Sequence, residues 1–123
     1  MNTASDLGQF LVQKRTEHNI SARWLAKALN ISAVYICDIE KGRRALPDDL
    51  LPKVAEILLL TEKEKTQMYD LVAMSKNTVS VDICEYIMNK DIVRKVIRTA
   101  IKNDIPDDAW EAFFEQTIVQ DKK

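Results

Sequence analysis

Apolar residues recur every three to four positions along most of the chain, and this spacing constrains the fold more than any other feature. Such a pattern predicts amphipathic helices that each bury one face. Only two of the 123 residues are glycine, which disfavours a turn-rich β architecture. We therefore predict an all-α fold. The predicted inner faces of the first five helices are Leu7, Phe10 and Leu11; Leu25, Ala26 and Leu29; Ile36 and Ile39; Leu51, Val54, Ala55 and Leu58; and Met68, Leu71 and Val72.

Capping residues divide the first part of the chain into separate helices. Ser21 and Ser32 are suited to N-caps, and Asn30 tolerates the left-handed conformation that ends many helices. Thr61 and Glu64 have the spacing of a capping box. The predicted helices cover about residues 5–17, 21–29, 32–41, 48–59 and 61–74, within a first domain of residues 1–74.

The second part of the chain contains three shorter helical patterns after a polar stretch at 75–80, which we interpret as a linker. Three short helices bury little surface alone, so this unit, residues 78–119, must pack on the first domain, a second copy or another protein. Dimerisation is the simplest role, because a two-fold dimer covers such a surface with the same surface of a second copy. The residues expected to form a core or a dimer seam are Trp110, Phe113, Phe114 and Ile118.

Charge is distributed unevenly along the chain. The formal net charge is −1, but residues 14–44 contain seven cations and three anions, a local excess of +4. No apolar run is long enough to span a bilayer, and no signal segment opens the chain, so we expect a cytoplasmic protein without a membrane partner. Cys37 and Cys84 have neither metal-ligand nor disulfide spacing, and we interpret them as buried free thiols.

Catalytic and metal-binding patterns are not evident in the sequence. His18 has no cysteine, aspartate or serine constellation around it. The acid pairs Asp48–Asp49 and Asp107–Asp108 begin predicted helices, where carboxylates favour the positive end of the helix dipole. We therefore expect neither an enzyme nor a bound metal or cofactor.

The second and third helices are joined by a turn so short that they must cross steeply, which is typical of a helix-turn-helix. The stretch "LAKALNISAVYICDIEKG", from Leu25 to Gly42, and Pro47 beyond it carry a resemblance to the Xre/Cro/C1 repressor family. The resemblance covers about residues 7–60. It implies a five-helix, lambda-repressor-like domain that binds double-stranded DNA, usually as a homodimer on a paired operator.

The resemblance also implies roles for individual residues. Arg15, late in the first helix, is expected to pair with Glu40 at the end of the third, fixing the recognition helix and aiming Arg15 near a phosphate. Base readout is expected from the start of the second helix and the exposed face of the third: Ala22, Ala33, Val34, Tyr35 and Asp38. Phosphate contacts are expected from Ser21, Arg23, Lys27, Ser32, Lys41, Arg43 and Arg44.

The readout positions depart from the family's common pattern of Gln, Asn, Arg or Ser. Ala33 and Val34 can contact a thymine methyl but cannot hydrogen-bond to a base edge. Asp38 could accept from a cytosine amine, although phosphates would repel it unless Arg43 or Arg44 screens it. Specificity could then depend on DNA shape, or DNA binding could have been relaxed or lost.

Two functional hypotheses follow. The first is a sequence-specific DNA-binding transcriptional regulator, a repressor that acts as a homodimer. The alternative is an antitoxin or adaptor whose C-terminal helices bind a partner protein, with the DNA-binding half serving autoregulation.

Overall fold

The computed structural model describes residues 3–119, with side chains described for residues 6–117, and this range is helical without a strand. The prediction of an all-α fold is confirmed. A 3₁₀ turn, Asp48–Leu50, precedes the fourth helix, and a π-helical segment, Phe114–Val119, follows the last. The α-helices are α1 (Thr3–Glu17), α2 (Ala22–Ala28), α3 (Ala33–Glu40), α4 (Leu51–Ile57), α5 (Glu62–Ser75), α6 (Val81–Met88), α7 (Asp91–Lys102) and α8 (Asp107–Phe113).

The fourth helix differs most from its predicted span of 48–59. Its first turn is 3₁₀, with the Leu50 N–H donating to the Pro47 carbonyl at 3.1 Å, and the α-helix begins only at Leu51. It ends at Ile57 because Leu59 has a φ of 53° and so cannot continue a right-handed helix.

Helices α1 to α5 surround one core, in which α1 contacts α3 and α5 while α2 contacts α3. Most of the predicted inner faces are buried, although Ala55 and Leu71 are only partly so. Leu46 is fully buried, and the sequence did not predict this because it lies in a loop between helices. The core residues are Leu7, Phe10, Leu11, Leu25, Ala26, Leu29, Ile36, Ile39, Leu46, Leu51, Val54, Leu58, Met68 and Val72.

The chain divides into two compact units, and the boundary falls between Cys84 and Glu85, inside α6. The sequence placed this boundary earlier, at residues 74–78. The stretch predicted as a linker belongs to the first unit, because Ser80 is buried and the Thr78 N–H donates to the Ala73 carbonyl at 3.0 Å. Whether either part folds as an independent domain stays a prediction. In the second unit, no residue from 85 to 117 is buried.

Candidate DNA interface

Two serines begin the helices of the helix-turn-helix. Ser21 Oγ accepts a hydrogen bond from the Trp24 N–H at 3.0 Å, and Ser32 Oγ accepts one from the Tyr35 N–H at 3.0 Å. Each cap satisfies a backbone donor that the helix itself leaves unpaired. Both serines are exposed, and each hydroxyl hydrogen remains able to donate to a phosphate oxygen.

The turn between α2 and α3 is a Schellman motif centred on Asn30, whose φ is 60°. The Asn30 N–H donates to the Lys27 carbonyl at 3.1 Å, and the Ile31 N–H donates to the Ala26 carbonyl at 3.0 Å. Because the next residue, Ser32, already caps α3, the two helices are joined by a short, hydrogen-bonded turn. The turn therefore fixes the crossing of the two helices.

Arg15 and Glu40 form a forked ion pair between the ends of α1 and α3. Arg15 Nε lies 2.9 Å from Glu40 Oε2, and Nη2 lies 3.1 Å from Oε1. The third contact of the guanidinium is with the Ile20 carbonyl, to which Nη1 donates at 3.0 Å. The two side chains are only 16% and 10% exposed, so this part-buried ion pair fixes the end of α3 against α1. Its expected direction towards a phosphate stays a prediction.

Gly8 brings α1 directly against the end of α3, a contact that was not among the sequence predictions. A Cβ built on Gly8 would lie 1.9 Å from the Glu40 carbonyl oxygen and 2.6 Å from its carbon. Any side chain would therefore separate the two helices. A single glycine inside an amphipathic helical pattern was the available signal for such a close approach.

The outward face of α3 is small and apolar, as the sequence predicted. Ala33 is exposed and Val34 is 72% exposed, whereas Tyr35 and Ala22 are half-buried. This face can make van der Waals contact with a thymine methyl, and its first two side chains offer no hydrogen bond to a base edge.

Asp38 is held by the two arginines that follow α3. Its carboxylate oxygens lie 3.8 Å from Arg43 Nη1 and 3.8 Å from Arg44 Nε. Its main-chain carbonyl accepts from the Arg43 N–H at 2.8 Å, in a second Schellman motif in which Gly42 has a φ of 78°. The Arg44 guanidinium also lies 4.9 Å from the centroid of the Tyr35 ring, within cation–π range. The screening that Asp38 would need beside phosphates is thus present.

The other cations expected to contact phosphates lie on α2 and directly after α3. Arg23, Lys27 and Lys41 are exposed, and none of them forms an ion pair within the described side chains. Arg43 and Arg44 remain mostly exposed, at 69% and 58%, despite their contact with Asp38. Exposed cations on a helix-turn-helix suit the phosphate backbone of DNA.

The residues predicted for dimer or domain packing lie in the second unit. Trp110, Phe113 and Phe114 are all exposed there, so they form no buried core within the unit. The side chain of Ile118 lies outside the described residues.

Some features outside the interface also bear on the sequence predictions. Cys37 is half-buried and Cys84 is exposed, so the expectation of two buried thiols was wrong. His18 is exposed, and Asp48 pairs with Lys76 at 2.9 Å at the start of the 3₁₀ turn.

Among the described residues, none of the helices has the length and apolar content needed to cross a membrane.

These features define a helix-turn-helix DNA-binding domain. They are a bundle of five helices, a tight turn between the capped second and third helices, and cations after the third helix. Residues 11–64 match the model of the helix-turn-helix family of the Cro/C1, Xre-like type, which indicates a DNA-binding transcription regulator. The predicted family is confirmed. No curated protein and no solved structure matches the chain.

Proposed function

We propose that the chain is a sequence-specific repressor of transcription that binds double-stranded DNA as a homodimer. The observation that carries this proposal is the outward face of α3, where exposed Ala33 and Val34 lie beside the Asp38–Arg43–Arg44 cluster. An apolar surface with cations at its edge fits thymine methyls in a major groove bordered by phosphates. Occupation of an operator by such a protein excludes competing proteins from the same DNA.

Most of the binding free energy would come from contacts with phosphates, and a smaller share would come from contacts with base edges. Arg23, Lys27 and Lys41 supply unpaired cations for phosphates, which give most of the affinity but no sequence information. Ala33 and Val34 supply contacts to thymine methyls. Asp38, which lies 3.8 Å from each of its two arginines, is the only one of these three side chains that can accept a hydrogen bond from a base edge, so we expect DNA shape to contribute to specificity.

The test is a fluorescence-anisotropy titration of the full chain against the DNA upstream of its own gene and against a scrambled duplex, at two salt concentrations. We expect tight, salt-dependent binding with a clear preference for the upstream DNA. Equal binding to both duplexes would contradict a sequence-specific repressor, and binding to neither would contradict a DNA-binding role.

Arg43→Ala tests the phosphate contacts directly. We expect weaker binding to both duplexes, with the slope of log affinity against log salt reduced by about 1. Lys63→Ala, which removes an exposed cation at the start of α5, is the matched control and should leave the slope unchanged. An Arg43→Ala chain with unchanged affinity would remove that contact from the proposal.

A second candidate function is an antitoxin or adaptor that binds a partner protein. The observation that favours it is the exposed aromatic surface of the second unit, which could cover a partner as readily as a second copy. Co-expression with the products of neighbouring genes, followed by size-exclusion chromatography, would test it. A stoichiometric complex that forms with the wild-type chain and does not form with the Trp110→Lys variant would support this function.

A further inference from the structure

The second unit has an open apolar groove between α7 and α8. The groove has a volume of about 730 Å³, and apart from Lys95 and Thr99 its principal lining is aliphatic or aromatic. The central lining residues are Ile92, Val96, Ile97, Ala109, Trp110 and Phe113. Exposed apolar surface of this extent and continuity is typical of a surface that another protein covers.

The polar faces of the same two helices carry opposite charges. Helix α7 contains four cations and one anion, whereas α8 and the π-helical segment contain four anions and no cation. Within the described side chains of this unit, the only ion pair joins Arg94 and Asp91, both of which lie in α7. The remaining charges of α7 therefore have no partner on α8 of the same chain. The four anions are Asp107, Asp108, Glu111 and Glu115.

This combination of apolar and charged surfaces is self-complementary. A two-fold interface uses the same patch on both subunits, so every feature of the patch must find its complement in the same patch. A basic amphipathic helix beside an acidic amphipathic helix meets this condition when the basic helix of each protomer packs against the acidic helix of the other. Opposite charges then face each other at both contacts. A partner of a single charge would leave one of the two helices facing like charge.

We propose that a second copy of this chain covers the groove, with α7 of each protomer packed against α8 of its partner. The inference rests on the proposed homodimeric function and deepens it by naming the helices and the charges that join the protomers. Lys95 and Arg98 of one protomer face Glu111 and Glu115 of the partner, and the apolar faces of α7 and α8 meet between them.

The test is sedimentation of the full chain without DNA, using two charge-reversed variants. One is Lys95→Glu with Arg98→Glu, and the other is Glu111→Lys with Glu115→Lys. All four positions are exposed, and Asp107 and Asp108 are left intact because they favour the first turn of α8. We expect the wild-type chain to dimerise, and each variant alone to dissociate with a dissociation constant raised at least about tenfold.

Mixing the two variants in equal amounts distinguishes pairing between chains from pairing within one chain. In a crossed dimer, the mixed pair restores opposite charges at both contacts, so dimerisation should return to within about threefold of wild type. Circular dichroism of each variant checks that it remains helical before mixing. A mixture that stays monomeric, although both variants are helical, would overturn the crossed pairing.

Two further results would bear on the inference. A wild-type chain that remains monomeric up to about 100 μM would overturn it, since a specific protein–protein interface has a dissociation constant below that value. The control is Lys53→Glu with Lys63→Glu, which reverses two exposed cations of the first unit and should dimerise like wild type. Dissociation of this control would overturn the role of the specific charges on α7 and α8.

The inference and the proposed function can fail separately. A chain that dimerises and shows rescue in the mixture, yet binds no DNA, supports the crossed pairing and contradicts the proposed repressor. A chain that binds its upstream DNA specifically but is monomeric in solution overturns the pairing and leaves the DNA-binding function standing.

Discussion

Gly8 is the residue that lets α1 approach the recognition helix, because its Cα lies against the main chain of Glu40. Arg15 then holds the Glu40 side chain from the same helix. The second contact was expected from the family resemblance, but the first was not. A backbone approach between residues 8 and 40 depends on how the two helices cross, which no local pattern specifies.

Gly8→Ala should destabilise the first unit. Alanine favours an isolated helix by about 1 kcal/mol, but the clash with the Glu40 main chain is overpacking that costs about 1–3 kcal/mol or more. We expect the free energy of unfolding to fall by about 1–2 kcal/mol in urea denaturation, which is the cost of the clash less the gain in helix propensity. Gln9→Ala, at the exposed neighbouring position of α1, is the control and should not destabilise. Equal stability of Gly8→Ala and wild type would show that the helices separate without cost.

Leu59 should be replaceable with a gain in stability. It adopts a φ of 53°, which strains a leucine, and its side chain is 69% exposed. Asn30 and Asn77 occupy comparable left-handed positions after α2 and α5. We therefore expect Leu59→Asn to raise the free energy of unfolding by about 1 kcal/mol, measured as a higher melting temperature.

The control for Leu59→Asn is Val79→Asn, which also replaces an exposed apolar side chain with an amide. Val79 lies outside the left-handed region, so no strain is relieved there. A similar rise in melting temperature for both variants would mean that the gain comes from surface polarity and not from the backbone.

At the scale of helices, α1 and α5 are joined by a part-buried contact between Lys14 and Glu64. Lys14 Nζ lies 2.5 Å from Glu64 Oε2, while Glu64 Oε1 accepts from the Thr61 N–H at 3.0 Å. The hydrogen bond from Lys14, followed by that from Thr61, lowers the pKa of Glu64 from 4.5 to about 2. One carboxylate therefore both caps α5 and ties it to α1.

This geometry predicts a specific acid dependence of stability. Because the folded pKa of Glu64 is depressed, its contribution is present above pH 4.5 and is lost as pH falls from 4.5 towards about 2. Glu64→Gln should lower the melting temperature at about pH 6 and have little effect at about pH 2, so the two curves should converge on acidification. Glu62→Gln, in the same turn, is the control, since Glu62 is exposed and forms no ion pair among the described side chains. Parallel curves for wild type and Glu64→Gln would contradict the assignment.

The helices themselves were predictable because their signals are local. Ser21, Ser32 and the Thr61–Glu64 capping box appear in the structure where the sequence indicated them. The Lys14–Glu64 contact was not predictable, since its residues are far apart in the chain and meet only through the packing of α1 on α5. In the same way, the position of Asp38 between two arginines depends on the turn at Gly42, although the charges were visible in the sequence.

At the scale of the whole molecule, the proposed homodimer fixes the geometry of its operator. Two recognition helices related by a two-fold axis read two half-sites about one helical turn apart, on one face of the duplex. An insertion of about five base pairs between the half-sites would move one of them to the opposite face.

We therefore expect such an insertion in the operator to reduce the affinity of the full chain to that of a single half-site. Gel-shift titration measures this, and the same insertion placed outside the operator is the control. Unchanged affinity after the central insertion would contradict a two-fold complex with DNA.

The contacts that fix α3 in the first unit leave the exposed start of its outward face free. Its start is fixed by Ser32, its end by Glu40 and Gly42, and its inner side by Ile36 and Ile39. Ala33 and Val34 take part in none of these contacts, so mutations at these two positions can accumulate without being purged for poor folding. Under the proposed function, changes at Ala33 and Val34 would therefore alter the operator that the chain prefers while the fold stays intact.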